Sequence, residues 1–413
     1  MCSMWSVVWK AVLPKLGFVR PERAITFTRH IPMGLSITNL SEEHLCIGIG
    51  KFELSSYVEP GKLTVWNLHS VGSNVPNASC LQFQTPVTGM GLSEGPHALP
   101  SMDWPTALAY TGEHLYVACT TTDEQHPGAM LYKILNTTSH THFTTGTLIA
   151  QAHVAPGWDG NGWDDYGWDG TIENQERCCL TSVAVVGQHL FICDTLHPAR
   201  RVLRANLDLG AIVPFAAEIL HAPYAVVEFE GLLCVADVKV GLLLLNCDGT
   251  LKRTLVAKEQ FCALFDKPPI SSICMTTLGS RLYVLLNCGY DPWNTPPWEF
   301  DEHLADSAVV TDLLVFDETG RLLQSALDLR SIASPLDSDR RRRRYSPDIY
   351  SYGRHISDIC ATSAGIYLTN FFVPSPDEWH TNRSAEKGLV FVPTVTKAAE
   401  PAWQLANGFA HLT

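Results

Sequence analysis

The sequence predicts an all-β fold, a six-bladed β-propeller with long insertions on one face. Three observations predict it. A hairpin pattern recurs six times, a third strand follows each hairpin, and the long connections between them fall on one side. A repeat of roughly 40 residues or more built from short strands means radially arranged sheets, one blade per copy.

Each hairpin opens with Ser, Thr or Pro, turns within three or four residues, and returns as Leu-Tyr/Phe/Cys-Val/Ile. The copies start near Ser36 (SITNLSEEHLCIGIG), Thr106 (TALAYTGEHLYVAC), Thr181 (TSVAVVGQHLFICD), Pro223 (PYAVVEFEGLLCVAD), Ser271 (SSICMTTLGSRLYVLLN) and Ser357 (SDICATSAGIYLTN). Third strands read as KLTVWNL from Lys62, AMLYKIL from Ala129, RRVLRANL from Arg200, GLLLLNC from Gly241, DLLVFDE from Asp312 and GLVFVPT from Gly388. Fourth strands follow turn signals such as CDGT at Cys247 and DETG at Asp317. Within the first 30 residues, AITFTR from Ala24 is β-like. It is expected to pair with blade six and close the ring, leaving no open edge. One propeller then takes up residues 1–413.

Composition narrows the function. Hydrophobic residues make up 46% of the 413, charged residues 17%, and there are 11 Trp. Such a chain fills a large core and has aromatics left to line a pocket. A formal charge of −13 excludes a general nucleic-acid binder, which needs a basic face. No apolar run reaches the roughly 18 residues of a membrane span. The opening MCSMWSVVWKAVLPKLGF has no clean small-residue cleavage site, so a cytoplasmic protein is expected. Sequons at Asn39, Asn77, Asn136 and Asn382 keep a secreted placement open. The 13 Cys include no CxxC pair, and Cys46, Cys193, Cys234, Cys274 and Cys360 fall inside strands as small hydrophobes.

Within a blade, B–C loops and D–A crossovers share one face. The long connections are 51–61, 120–128, 288–307 and 372–387 of the first kind, and 91–104, 152–179 and 331–355 of the second. The A–B turns opposite are all short. A one-sided crowd of long loops is the architecture of a roofed binding site. The alternatives are loops that pack on one another or make an oligomer contact.

The chemistry-bearing residues sort by position. His44, His114 and His189 occupy one repeat position in three blades, which explains them better than a metal trio. Asp194, Asp237, Asn287 and Asn370 end second strands, where short polar side chains bond to the following turn. Residues 157–170, GWDGNGWDDYGWDG, space Trp158, Trp163 and Trp168 five apart. Asp159, Asn161, Asp164, Asp165 and Asp169 lie between them. Oxygen ligands on a Gly-rich loop suit calcium, though not with EF-hand spacing. The Trp side chains suit stacking on an apolar ligand, or the loop packs on the rim and binds nothing.

The blade-five loop supplies Tyr290, Trp293, Trp298, Phe300 and His303 beside Asp301 and Glu302. Trp379 and His380 come from blade six, Tyr345, Tyr350, Tyr352 and His355 from the last crossover, and Trp104 from the end of the first. Aromatics with a few His and carboxylates make a small-molecule pocket. The substrate-binding candidates are Trp104, Trp158, Trp163, Trp168, Tyr290, Trp293, Trp298, Tyr352 and Trp379. His303, His355 and His380 are the acid–base candidates. The five arginines 340–344 lie in a loop flanked by Asp337, Asp339 and Asp348, read as a solvated run, a basic targeting signal or a site for an anionic partner. No GxSxG elbow, phosphate loop, dinucleotide fingerprint or HExxH occurs.

The stretch VADVKVGLLLLNCDG at 235–249 resembles strictosidine synthase-like proteins, in which such a run links the second and third strands. ICDTLHPARRVLRANLD at 192–208 is similar to the same superfamily, which includes NHL-repeat proteins and the gluconolactonase/regucalcin and paraoxonase hydrolases. The resemblance implies six blades. Its lactonase branch implies an axial divalent metal held at the start of the first strands. The corresponding residues here are Ser36, Thr106, Thr181, Pro223, Ser271 and Ser357, none a carboxylate. A shift of one residue brings in Asn39 or Asp358, and two isolated ligands do not make that site. The synthase branch implies a metal-free Glu from the last blade, where this chain has Glu378 and Glu386 in an inserted loop.

The expectation is a metal-independent small-molecule enzyme of secondary metabolism, with no cofactor and no nucleic-acid or membrane partner. It would steer a condensation, dehydration or cyclisation, cycloaddition included, of a largely apolar substrate. The rivals are a protein- or sugar-binding scaffold and a calcium-dependent lactonase- or esterase-like hydrolase.

Overall fold

The computed structural model describes residues 25–27, 34–42, 44–50, 52–54, 57–59, 61–67, 78–80, 82–84, 104–120, 129–136, 145–155, 178–195, 200–263, 270–288, 310–324, 355–363, 365–371 and 389–393. Six hairpins dominate them. In chain order they are β2 (Gly34–Ser41) with β3 (His44–Ile49), β9 (Trp104–Tyr110) with β10 (His114–Thr120), and β13 (Leu180–Val186) with β14 (His189–Asp194). Then come β17 (Pro223–Phe229) with β18 (Leu232–Asp237), β21 (Ile270–Leu278) with β22 (Arg281–Cys288), and β25 (His355–Ala361) with β26 (Gly365–Phe371). All pair antiparallel.

The third strands are β6 (Lys62–Asn67), β11 (Ala129–Asn136), β15 (Arg201–Asn206), β19 (Gly241–Leu245), β23 (Val310–Asp317) and β27 (Leu389–Pro393). Outer strands are β7 (Ala78–Cys80), β12 (Thr145–Val154), β16 (Val213–Phe215), β20 (Leu251–Ala257) and β24 (Leu322–Gln324). The last sheet takes its outer strand from the other end of the sequence. There β1 (Ile25–Phe27) pairs with β27, with Ile25 opposite Phe391 and Phe27 opposite Leu389, as the β-like AITFTR predicts. The fold is thus mostly β, with several four-stranded antiparallel sheets arranged like the blades of a propeller.

Second strands read as unbroken apolar runs rather than alternating ones, because both faces of each sheet are covered. On β18, Leu233 and Val235 pack toward the third sheet, and Cys234 and Ala236 toward the fifth. On β22, Leu282, Val284 and Leu286 face the fourth sheet while Tyr283 and Leu285 face the sixth. The core is therefore a series of apolar layers between neighbouring sheets. Each fully buried Leu or Val in such a layer contributes about 1.5–3 kcal/mol.

First strands touch in sequence: β2 with β9, β9 with β13, β13 with β17, β17 with β21, β21 with β25, and β25 with β2. Three elements fall outside the repeat. A small hairpin of β4 (Phe52–Leu54) and β5 (Tyr57–Glu59) forms within the long connection of the first sheet. The strand β8 (Gln82–Gln84) adds in parallel to β12. A helix, α1 (Lys258–Ala263), follows β20.

Candidate functional site

The same irregularity recurs at the start of all six first strands. The pairing of first with second strand skips one residue: Leu35, Thr106, Thr181, Tyr224, Ser271 and Ser357 in the six sheets. These are β-bulges, which bend a strand and re-aim its side chains, and they are over-represented beside functional sites. The sequence series beginning at Ser36 and Pro223 is thereby corrected by one residue in two sheets. The equivalent positions there are Leu35 and Tyr224. Sequence repeats align on chemistry, and these two bulges carry an apolar and an aromatic side chain where the other four carry hydroxyls.

The residues just after the bulges are Ser36, Ala107, Ser182, Ala225, Ser272 and Asp358, a sixfold series with one carboxylate. Three hydroxyls of this zone are engaged between sheets. Ser36 Oγ donates to Pro105 O at 2.6 Å, and Thr181 Oγ1 donates to Tyr224 O at 3.0 Å. Ser182 Oγ accepts from Val226 N at 2.8 Å. Thr106 Oγ1 donates within its own sheet, to Ala118 O at 3.4 Å. At the opposite end of β21, Thr276 Oγ1 accepts from Ala361 N at 3.5 Å and Thr277 Oγ1 donates to Glu228 O at 3.2 Å, which also join neighbouring sheets.

Asp358 differs in kind. Its Oδ2 accepts from Ile37 N of the first sheet at 2.9 Å, and its Oδ1 accepts from Ile359 N at 2.8 Å. Burial pushes this carboxyl up to about 7, outweighing the two amide bonds that favour the charged form. Its side chain is nonetheless only half-buried. Ser357 Oγ bonds Thr369 Oγ1 at 3.0 Å. Nearby, the Cys274 thiol donates to Ser357 O at 3.1 Å. Burial holds the Cys274 thiol well above its ordinary range, and Asp358 adds to the effect. Burial pushes the Cys360 thiol up to about 12. Neither thiol is a nucleophile at neutral pH.

Asp194 and Asp237 end β14 and β18 as backbone caps. Asp237 accepts from His221 N, Ala222 N and Lys239 N at 2.7, 2.8 and 2.8 Å. Asp194 accepts from Cys179 N at 2.9 Å and from Arg201 Nε at 3.2 Å. Arg201 also donates to Ala155 O at 2.6 Å, and the Cys178 thiol donates to the same oxygen at 3.4 Å. His44, His114 and His189 each open a second strand in separate sheets.

Trp104 opens β9 half-buried, its ring against the Cα of Gly50, where any added Cβ would meet it at 2.7 Å. Trp158, Trp163, Trp168, Tyr290, Trp293, Trp298, Tyr352, Trp379, His303 and His380 lie outside the described residues, as do Asp159, Asn161, Asp164 and Asp169. The backbone of His355 opens β25 opposite Phe371, and its side chain lies outside the description. Among the described residues, no three His, Cys, Asp or Glu side chains converge as metal ligands. In the series at the start of the first strands, where the lactonase resemblance implies ligands for an axial metal, Asp358 alone is a carboxylate. Asp358 was visible to sequence reading only as a one-residue shift. The missing signal was the bulge itself, which costs one residue of register and leaves no mark in composition.

No protein-family model matches the chain, and no curated protein matches it. Solved structures do. A Trypanosoma rangeli sialidase in complex with the inhibitor DANA is 12% identical with a TM-score of 0.44, over 95% of this chain and 60% of that one. The chain thus spans about 60% of that sialidase's length. The WD40 β-propeller domain of Doa1 is 10% identical with a TM-score of 0.38, over 92% and 97% of the two chains. A chain of the nidogen/laminin complex is 12% identical with a TM-score of 0.39, over 82% and 97%. Such neighbours include enzymes and non-enzymes, and likenesses at this level assign no activity.

Proposed function

We propose that the six sheets are the blades of a closed six-bladed propeller, and that the chain is a small-molecule enzyme acting where the first strands begin. One observation supports this most. In a sixfold series otherwise made of Ser and Ala, one position carries a carboxyl, Asp358, half-buried at the inner edge of its sheet. Six bulges set that level of the fold, and two amides hold the carboxyl in place. A carboxyl brought to about 7 both gives and takes a proton at neutral pH, which is what general acid–base catalysis needs. The substrate class is a neutral, largely apolar molecule, in keeping with a sequence that has 11 Trp and only 17% charged residues. The reaction class is a proton-assisted condensation, dehydration or cyclisation, with Asp358 rather than a described His as the acid–base group.

The test is native mass spectrometry of the protein and of Asp358→Asn, both isolated from the natural host. The reading expects an organic mass that is lost on denaturation and that differs between the two, product in one and substrate in the other. The same retained mass in both would remove Asp358 from the chemistry. Bare protein in both would favour the second reading, a binding scaffold. That reading draws support from Ser36, Thr181 and Ser182, whose hydroxyls are used between sheets.

A further inference from the structure

Between the third and fourth sheets, a neutral hydroxyl, Ser182 Oγ, accepts the amide of Val226. Between the sixth and first sheets the equivalent bond is made by a carboxylate, Asp358 to Ile37 N. Ile37 follows Ser36 as Val226 follows Ala225, so the two bonds occupy the same place in the repeat. The second side-chain bond across that junction also ends on a carboxylate, Ser363 Oγ donating to Glu42 Oε2. The two bonded residues are 321 apart in sequence, although the chain also passes from β1 of the sixth sheet to β2 of the first through residues 28–33.

We propose that the junction between the sixth and first sheets is a proton-controlled latch, shut when Asp358 is protonated and loosened when it ionises. It holds whether or not a small molecule binds. Among the described residues the ionised carboxylate has two amides and no cation to offset its desolvation, so charge on it favours letting water into the junction.

The other titratable and charged groups on the elements packed against it are few, and Glu42, just after β2, is the second carboxylate of the junction. From β21 comes Cys274, from β26 Tyr367, and from β22 Tyr283 and the exposed Arg281 at the far turn. Between Gly34 and Ser41, β2 carries no titratable side chain. Cys360 shares the strand. Burial holds Cys274 well above the ordinary thiol range and pushes Cys360 and Tyr367 up to about 12, so all three stay neutral. His355 lies on the same strand and is controlled for below.

The sign follows from linkage. The folded carboxyl titrates near 7 and the opened one near 3.8. The latch is fully shut below the lower value and loosens as pH rises through the window, levelling off above about 7.

Hydrogen exchange of the full chain, followed by mass spectrometry between pH 5 and pH 8 and corrected for intrinsic exchange, tests it. Opening of peptides over 34–41 and 355–361 is expected to rise roughly ten-fold per pH unit up to about pH 7 and then flatten. Peptides over 180–186 and 223–229, at the serine-based junction, are expected to stay flat. Asp358→Asn removes the dependence. If that variant does not fold, Asp358→Ser, with the side chain that serves at 182, carries the comparison. The same pH dependence at both junctions would overturn the latch. So would a seam response that survives both Asp358 variants or disappears in His355→Gln.

Discussion

Replacing Asp237 by Ala tests whether the second-strand carboxylates are structural caps. Asp237 has no exposed surface, and its two oxygens take three backbone amides. Truncation orphans all three. The buried Ala222 amide loses about 2 kcal/mol, and the part-buried His221 and Lys239 amides, which water reaches, about 1 kcal/mol each. Asp237→Ala should therefore cost about 4 kcal/mol, less whatever is regained by no longer burying a carboxylate. Asp237→Asn keeps one oxygen for the His221 and Ala222 amides and turns an NH2 on Lys239 N, so it should cost about 1–2 kcal/mol. Equilibrium urea denaturation at neutral pH, read by tryptophan fluorescence, measures both. A loss below about 1 kcal/mol in the alanine variant would mean that the desolvation of the carboxylate cancels its three bonds. The capping account would then fail.

Other outcomes follow from local geometry. Arg201→Ala takes the guanidinium from beside the buried Asp194 and leaves Ala155 O with the Cys178 thiol as its donor. A loss of about 2–4 kcal/mol in the same urea assay is expected, with little rescue by Lys, which cannot reach both acceptors. In Gly320→Ala the added Cβ would sit 1.9 Å from Leu255 O at φ 85°, so thermal melting should report about 3 kcal/mol or more of destabilisation. The control, Gly279→Ala, has φ 59° and open space around it, and should cost only about 1 kcal/mol. Glu230 holds φ 55° in the turn before Gly231. Glu230→Asn should stabilise by about 0.5–1 kcal/mol, since Asn adopts that conformation readily and the lost exposed pair with Arg253 is weak.

What was legible in the sequence is what burial on two faces writes into it. Leu-Cys-Ile at 45–47, Leu-Phe-Ile-Cys at 190–193 and Leu-Cys-Val-Ala at 233–236 could only be central strands, because every residue in them meets a neighbouring sheet. The β-like AITFTR gave away the strand that pairs with the last sheet. Less was readable in the shortest elements. The hairpin at 52–59 has three residues a side around Ser55 and Ser56, and Gln82–Gln84 carries a single apolar residue. Around Lys258–Ala263 the Glu-Gln pair is too short a helical signal to stand out. Asp358 was hidden for a different reason. Its meaning lies in the amide it reaches across the fold, and no local pattern records a partner 321 residues away.

The pairing of Ile25 with Phe391 also sets an order of events during synthesis. The ribosome releases β1 early, yet its partner β27 is made only after every other sheet has left the exit tunnel. Until then the first strand has nowhere to dock, and closing so long a loop carries an entropic penalty that shorter pairings escape. For a time the last sheet has three strands and an open edge at β27. That edge can take the same three residues from a neighbouring copy when copies are concentrated enough to compete with its own chain. At high concentration, newly made or refolding molecules would thus exchange strands and form chains of interlocked propellers, a hazard that dilution removes.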